Sequence, residues 1–405
     1  MAGGDPVPVR SALTLKPAKL DPKAAGNITI ELTLAFLTPM MGGGVEINGP
    51  QKPCDPVTPI RVASIRGQLR FWWRACNPAN ATTLTDLQKH EAALWGSTSR
   101  PSAVTITVVR QPRPPRSIEA DRSIGYGAFP LNPQQGSTPA GKLHDFADST
   151  FVLTIRCPRE QRDALEETIA AWTIFGGLGG RTRRGFGALD DRTQRTTPAE
   201  LLDKLRDRPA LAGVPSLARA EWRLTKYSLS NPRDAWSSAL FALQDFRQGE
   251  GTARPPRARE SRRPGRSRWP EPDEIRRLFR QHATGHEPVH RVRKFPRAAF
   301  GLPIIFHFST QGDPGQQSIT LQPKGRNRLA SPLILRPIRE GDHYRALALV
   351  LQIAGPPLEL ELDVRGVGQP VLMQLSLAEA QFKPLDGEPS PLTAFLRHFT
   401  ATTKP

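Results

Sequence analysis

Residues 27–37 read Asn-Ile-Thr-Ile-Glu-Leu-Thr-Leu-Ala-Phe-Leu. Apolar side chains at Ile28, Ile30, Leu32 and Leu34 alternate with polar ones, and a period of two predicts a strand with one buried face. Turn formers follow from Thr38 to Gly44. From Ser64, which reads as an N-cap, the period lengthens to that of a helix. Ile65, Leu69, Trp72 and Cys76 share one helical face, and Arg66, Arg70 and Arg74 form a second stripe beside it, with Trp73 on the border. Ser102–Arg110 and Thr150–Cys157 read as strands. The loop between them, of about forty residues, is far longer than an ordinary connection. A helix over Arg159–Phe175 presents Leu165, Ile169 and Trp172 on one side and ends at Gly176. A glycine-rich loop then opens a short strand, Phe186–Leu189.

Strand, helix, strand, strand, helix, strand is the split βαβ order of the ferredoxin-like fold, shared with the RNA recognition motif. The aromatic signature of that RNA-binding module is missing, so a sheet-face stacking pair is not expected. Pro209–Pro215 reads as a hinge, which divides the chain into residues 1–212 and 213–405. In the second half, Glu221–Leu229 reads as a strand and Asp234–Phe246 as a helix. Leu302–Phe308, Gln317–Gln322, Ala330–Ile338 and Tyr344–Ile353 read as strands, and Leu392–Thr400 as a closing helix. Residues 249–272 are dominated by Arg, Pro, Gly and Ser and read as a mobile basic loop. The predicted class is α+β, with two ferredoxin-like domains and the strand order of the second left open.

Charge narrows the partners. Lys and Arg number 56 against 38 Asp and Glu, a formal net charge of +18. Such an excess favours a polyanion, nucleic acid or an anionic membrane surface. The membrane reading finds no support: there is no apolar run of spanning length, no apolar signal core in residues 1–10, and no clean basic amphipathic helix. Cys54, Cys76 and Cys157 are scattered and odd in number, which fits a reducing cytoplasm better than a disulfide framework or a metal knuckle. Residues 254–297 hold 14 Lys and Arg against 5 Asp and Glu, half of the net surplus.

Two motifs carry candidate chemistry. Gly176-Gly177-Leu178-Gly179-Gly180-Arg181-Thr182-Arg183-Arg184-Gly185-Phe186-Gly187 combines glycines, which let backbone N–H groups approach a phosphate, with arginines that bond its oxygens. A P-loop is excluded because Phe186 follows Gly185, and a Rossmann turn because this loop follows a helix and opens a strand. The second motif runs Arg61-Val62-Ala63-Ser64-Ile65-Arg66-Gly67-Gln68-Leu69-Arg70-Phe71-Trp72-Trp73-Arg74 and contains no acid to neutralise its arginines. Together the motifs predict an RNA-backbone groove. Its candidate residues are Arg61, Arg66, Arg70, Arg74, Trp73, Gly177, Gly179, Gly180, Arg181, Arg183, Arg184 and Gly185, with Arg293 and Lys294 from the second half. His282, His286 and His290 recur every fourth residue, but Gly285 and Pro288 break the helix a metal site would need, so they read as loop histidines. Asp190-Asp191 reads as a solvated turn rather than a metal pair. No cofactor, metal or catalytic set is expected.

The series Thr38-Pro39-Met40, Ser64-Ile65-Arg66-Gly67 with Leu69-Arg70-Phe71-Trp72-Trp73-Arg74, Leu94-Trp95-Gly96-Ser97 and the glycine–arginine loop resembles the RAMP superfamily of CRISPR proteins. Within it, the series is most similar to the family of first Cmr subunits of type III-B effectors. The match covers roughly residues 27–190; Leu302-Pro303-Ile304 and Ala330-Ser331-Pro332-Leu333 resemble that family's second domain less sharply. The resemblance implies two ferredoxin-like domains and a structural place at the head of a ribonucleoprotein. The implied partners are guide RNA, target RNA and other RAMP subunits. Some RAMP relatives cut guide precursors with a histidine on the early loop or first helix, yet residues 27–89 contain none. The chain is therefore expected not to be an enzyme. The alternatives are a guide-processing nuclease using His90 or His144 as general base, or a scaffold whose basic loop grips an acidic protein.

Overall fold

The computed structural model describes residues 26–42, 58–128, 143–146, 149–193, 195–256, 265–314, 319–364 and 366–402. Alternation in the first strand does what its pattern requires. In β1 (Asn27–Phe36) Leu32 and Leu34 are buried while Thr29, Glu31 and Thr33 stay exposed. After β2 (Met40–Met41) come α1 (Val62–Cys76), α2 (Leu84–Trp95), β3 (Thr105–Arg110), β4 (Arg116–Ile118), β5 (Leu143–Asp145), β6 (Thr150–Pro158), α3 (Arg162–Phe175) and β7 (Leu189–Asp191). The main sheet runs β3-β6-β1-β7 and is antiparallel throughout, with Leu32 opposite Leu153 and Ile30 opposite Ile155. This is the strand order of the predicted ferredoxin-like fold. The helices α1 and α3 cover one face, where Ile65, Leu69 and Trp72 meet Leu165, Ile169 and Trp172 in a common core. Truncating a side chain such as Trp72 to alanine there costs about 3–5 kcal/mol.

The long loop between β3 and β6 is partly structured. Its β4 and β5 join β2 in a small sheet ordered β2-β5-β4, and Ile124 and Ala128 are buried against the second half of the chain. Residues 129–142 of that loop lie outside the described residues.

After α4 (Pro198–Leu205), the second half opens with β8 (Pro215–Leu224) and α5 (Pro232–Gln248). Next come α6 (Glu271–Phe279), β9 (Ile304–Phe306), β10 (Ile319–Pro323), β11 (Leu333–Glu340) and β12 (His343–Ile353), then β13 (Leu360–Val364), β14 (Val367–Val371) and α7 (Pro391–Thr402). Its principal sheet is β11-β12-β8, antiparallel, with α5 and α7 packed on it. Read along the chain, β8-α5-β11-β12-α7 is a ferredoxin-like unit lacking its last strand. Two insertions, one after α5 and one after β12, supply a third sheet ordered β14-β13-β10-β9, with a core of Ile275, Phe295, Leu302, Ile319, Leu321, Leu360 and Leu362. The expected boundary at residues 212 and 213 falls just before β8, yet Leu217, Ile334, Leu347 and Leu349 belong to the same apolar core as the first domain.

The reading of 249–272 as a mobile basic loop needs correction at both ends. Residues 257–264 lie outside the described residues, but Ala253 and Trp269 are fully buried. The Trp269 ring meets Phe246 and Phe382 edge-on, and α6 begins at Glu271. One large aromatic ring outweighs the polar composition around it, because burying it stabilises by about 1.5–3 kcal/mol. The helix α1 also starts earlier than its sequence signal: Arg61 holds the N-cap position without a side-chain cap, and Ser64 sits exposed in the first turn.

Candidate nucleic-acid interface

The glycine loop folds back on itself and onto the segment after β1. Leu178 N–H donates to Gly187 O at 2.9 Å, Gly180 N–H to Met41 O at 2.7 Å and Gly187 N–H to Pro39 O at 2.9 Å. Thr38 Oγ1 donates to Gly185 O at 2.6 Å and accepts from Ala188 N–H at 2.9 Å. These close backbone approaches are what demand glycine. A Cβ at Gly177 or Gly187 would collide with the facing strand of the loop, one at Gly179 with Met41 O, and one at Gly185 with Trp236 and Leu335 O. Gly179 and Gly185 also have φ of +83° and +80°. Phosphate access therefore does not explain Gly177 or Gly185, which are buried in these contacts. Gly179 and Gly180 form the exposed tip, and a Cβ at Gly180 would meet nothing nearer than 3.6 Å.

The loop's arginines reach backbone carbonyls rather than solvent alone. Arg181 Nε donates to Gly127 O at 2.5 Å, Arg183 Nη1 to Ser331 O, and Arg184 Nη1 to Leu333 O at 2.9 Å. Burial, with the nearby Arg247 guanidinium, lowers the pKa of Arg184 to about 10. A residue that sequence reasoning missed completes the set. Arg336 on β11 is 1% exposed and donates to Gly176 O and Leu189 O, both at 2.6 Å, so it clamps the two ends of the loop to the second sheet. Burial lowers its pKa to about 9. Its signal was an arginine inside the apolar run Leu333–Ile338. Two arginines expected to bond phosphate oxygens are thus turned inward: Arg184 is an interior strut, and Arg183 lies mostly buried over the Phe71 ring at 5.4 Å.

The stripe on α1 faces away from this loop. Arg70 Nε and Arg74 Nη1 both pair with Glu91 Oε1 on α2, at 2.8 and 2.5 Å. Arg66 donates to Ser102 Oγ at 2.8 Å and Val104 O at 3.1 Å. Trp73 is 2% exposed and belongs to the core, so it offers no platform for a base. The face that does meet the loop carries Arg61, Ser64, Gln68 and Phe71, spaced by three, four and three residues as one helical face requires. A pocket of about 210 Å³ joins Gln68 and Phe71 to Thr182 and Arg183, and a smaller one of about 70 Å³ joins Arg61 and Ser64 to Leu178 and Gly179. A cleft therefore runs from the N-terminus of α1 along the glycine loop. The first turn of α1 has no acidic residue and no side-chain cap, so its positive dipole end is unopposed there.

The remaining candidates lie elsewhere. Arg293 is exposed, whereas Lys294 Nζ pairs with Glu379 at 2.7 Å. His282, His286 and His290 follow α6 in a loop, and His286 Nδ1 bonds Asp313 Oδ2 at 2.6 Å. Asp190 and Asp191 form part of β7 rather than a turn; Asp190 pairs with Arg339 at 2.9 Å and Asp191 accepts from Thr193 Oγ1 at 2.6 Å. Among the described residues, no group of three or more His, Cys, Asp or Glu is arranged to hold a metal ion. His90 lies exposed on α2, its Nδ1 2.9 Å from Asp86 O, and His144 is buried, with a pKa lowered by that burial. Among the described residues, no helix is long and apolar enough to cross a membrane.

Residues 33–190 match the family model of the RAMP superfamily. The matched interval runs from β1 to β7, so the similarity spans the first ferredoxin-like unit with both arginine motifs. Among solved structures, the chain is similar to apo Cmr1 from Pyrococcus furiosus, with 14% identity and a TM-score of 0.50 over 91% of this chain and 96% of that one. At that identity the likeness concerns the fold. A chain in the structure of the type III-B Cmr-beta bound to cognate target RNA is 10% identical over 92% of this chain and 100% of that one, with a TM-score of 0.42. None of the curated proteins matches the chain.

Proposed function

From the match of residues 33–190 to the RAMP superfamily and a fold similar to that of Cmr1, we propose that the chain is a non-catalytic, RNA-binding subunit of a type III-B CRISPR ribonucleoprotein. The observation that carries this reading is the cleft between the uncapped N-terminus of α1 and the glycine loop. Backbone N–H groups, Arg61, Ser64 and Gln68 line one wall; Leu178, Gly179 and Thr182 line the other. Arg183 and the ring of Phe71 lie at its inner end. Phosphates of a single strand fit the first part, and the aromatic end gives a base a surface to stack on. The guide RNA 3′ region or the target RNA is the expected ligand, and other RAMP subunits are the neighbours.

The test is binding of single-stranded RNA to the purified chain across a salt series. Each phosphate neutralised should contribute about −0.7 to the slope of log affinity against log salt. An affinity independent of salt would overturn the reading. Cleavage of repeat RNA in the same mixture would instead favour a processing nuclease.

A further inference from the structure

The first sheet is unfinished on one side. Strand β1 pairs with β6 over Asn27–Ala35 but with β7 only over Leu34–Phe36. Among the described residues, no strand pairs with Asn27–Thr33 on the β7 side. A row of backbone donors and acceptors is therefore presented at that edge, the feature by which sheets recruit another strand. The edge does not face open solvent. It forms one wall of a groove of about 390 Å³, completed by α3 and α4.

The groove's chemistry is specific. Its apolar floor includes Ile30, Ile169 and Leu201, and Glu31, Asp163 and Asp191 stand along its rim. The one cation in its lining, Lys204, is already held by Glu167 at 2.8 Å. Among the described residues no salt bridge neutralises Glu31 or Asp191. On a chain with a net charge of +18, this is a local concentration of the opposite sign. A nucleic-acid strand is disfavoured here, because its phosphates would meet carboxylates. An extended peptide with alternate apolar and cationic residues matches all three properties: backbone to the β1 edge, apolar side chains to the floor, Lys or Arg to the rim.

We propose that this groove receives a cationic β-strand of another protein chain, added to the main sheet beside β1. The site stands apart from the RNA cleft and does not depend on the RNA reading. It would give the protein a protein-docking face distinct from its polyanion-binding face.

The probe is a capped peptide of about nine residues alternating lysine and valine, followed by fluorescence anisotropy against the full chain. Two controls accompany it: a block-ordered peptide of the same composition, and the alternating peptide N-methylated at every second amide. The expected result is binding of the alternating peptide alone, weakened at least about tenfold by Glu31→Lys with Asp163→Lys. These are exposed positions, and the melting temperature of the variant checks that it is folded. Equal binding of the N-methylated or block peptide would reduce the effect to bulk charge and overturn the proposal. So would no binding at all. Slow hydrogen exchange of the Ile28–Thr33 amides facing the groove, in the protein alone, would mean that the chain covers its own edge, and would overturn it as well.

Discussion

The glycine loop and the segment around α6 are both rich in arginine, yet they neutralise it in opposite ways. Around α6 the cations meet carboxylates: Arg266 with Asp273 at 2.6 Å, Arg276 with Asp313 at 2.8 Å, Arg277 with Glu274 at 3.1 Å and Arg297 with Glu271 at 3.2 Å. In the glycine loop, Arg181, Arg183 and Arg184, with Arg336 behind them, donate to backbone carbonyls. A carbonyl satisfies the hydrogen bond without cancelling the charge. Four cations of the α6 segment are therefore neutralised by carboxylates, while the loop keeps its positive charge and lends it to the cleft. The α1 stripe falls between, with two arginines on the single carboxylate Glu91. Counting charges along a sequence does not distinguish these cases; identifying the acceptors does.

The largest effect that tests this contrast is at Arg336. Arg336→Met leaves the carbonyls of Gly176 and Leu189 without their buried donor, and folding stability should fall by about 3–5 kcal/mol. Arg336→Lys should recover little, because one ammonium cannot serve two carbonyls as the planar fork does. Urea denaturation of both variants measures this. A methionine variant as stable as the parent would show that the carbonyl-bound arginines are dispensable to the fold.

Acid should separate the two regions. Burial raises the pKa of the Asp313 carboxyl, but the hydrogen bonds from Arg276 and His286 outweigh it and hold the group well below the ordinary carboxylate range. Because its folded value is depressed, Asp313 contributes stability above the unfolded value of about 4, and this is lost as pH falls toward the folded value. The loop's carbonyl acceptors do not titrate. Amide exchange followed by mass spectrometry should show α6 losing protection below about pH 4 while Leu178–Ala188 keeps it. Asp313→Asn should cost about 2–3 kcal/mol at neutral pH and reduce this acid sensitivity, leaving the share that Asp273 contributes through its bonds from Arg266 and the backbone of Val289 and His290. Simultaneous loss in both regions would erase the distinction.

Much of the first domain was legible because its signals are local. The alternation in β1, the two helical faces and the order of six elements follow from neighbouring residues, and the sheet has the order they predict. The acceptors were not legible, because they lie far away in sequence. Glu91 is 21 residues from Arg70, Leu333 is 149 from Arg184, and Gly176 is 160 from Arg336. The third sheet was hidden for the same reason, since its strands come from two insertions separated by β11 and β12. The stripe of Arg66, Arg70 and Arg74 was expected to face the glycine loop, whereas the face carrying Arg61, Ser64, Gln68 and Phe71 meets it. The absence of acids within the helix suggested that Arg66, Arg70 and Arg74 lacked partners, whereas Glu91 comes from the next helix.

A smaller effect concerns RNA affinity. Arg61→Ala with Arg181→Ala should weaken single-stranded RNA binding about tenfold and flatten its salt slope, because Arg61 lines the cleft and Arg181 adjoins the exposed tip of the glycine loop. Arg277→Ala and Lys294→Ala, whose charges are already paired with Glu274 and Glu379, should change it by less than about twofold. Equal losses from the two pairs would mean that total charge, rather than the acceptor each cation has, governs binding.

The smallest expected effect is the most diagnostic for the cleft. Gly67 sits inside α1, where glycine costs about 0.8–1 kcal/mol relative to alanine. The other critical glycines repay that cost by avoiding collisions, but a Cβ at Gly67 would meet nothing within 4 Å. Among the described residues, no contact explains the glycine. Gly67 lies one turn from Ser64 and next to Gln68, at the edge of the cleft, where a missing side chain allows close approach to the helix backbone. Gly67→Ala should therefore raise stability by about 0.5–1 kcal/mol and at the same time lower RNA affinity by severalfold. Opposite signs in the two measurements would mark a position kept open for a ligand at the expense of the fold. A stabilised variant with undiminished affinity would remove the N-terminal turns of α1 from the cleft and leave the exposed tip of the glycine loop as its only ligand-facing wall.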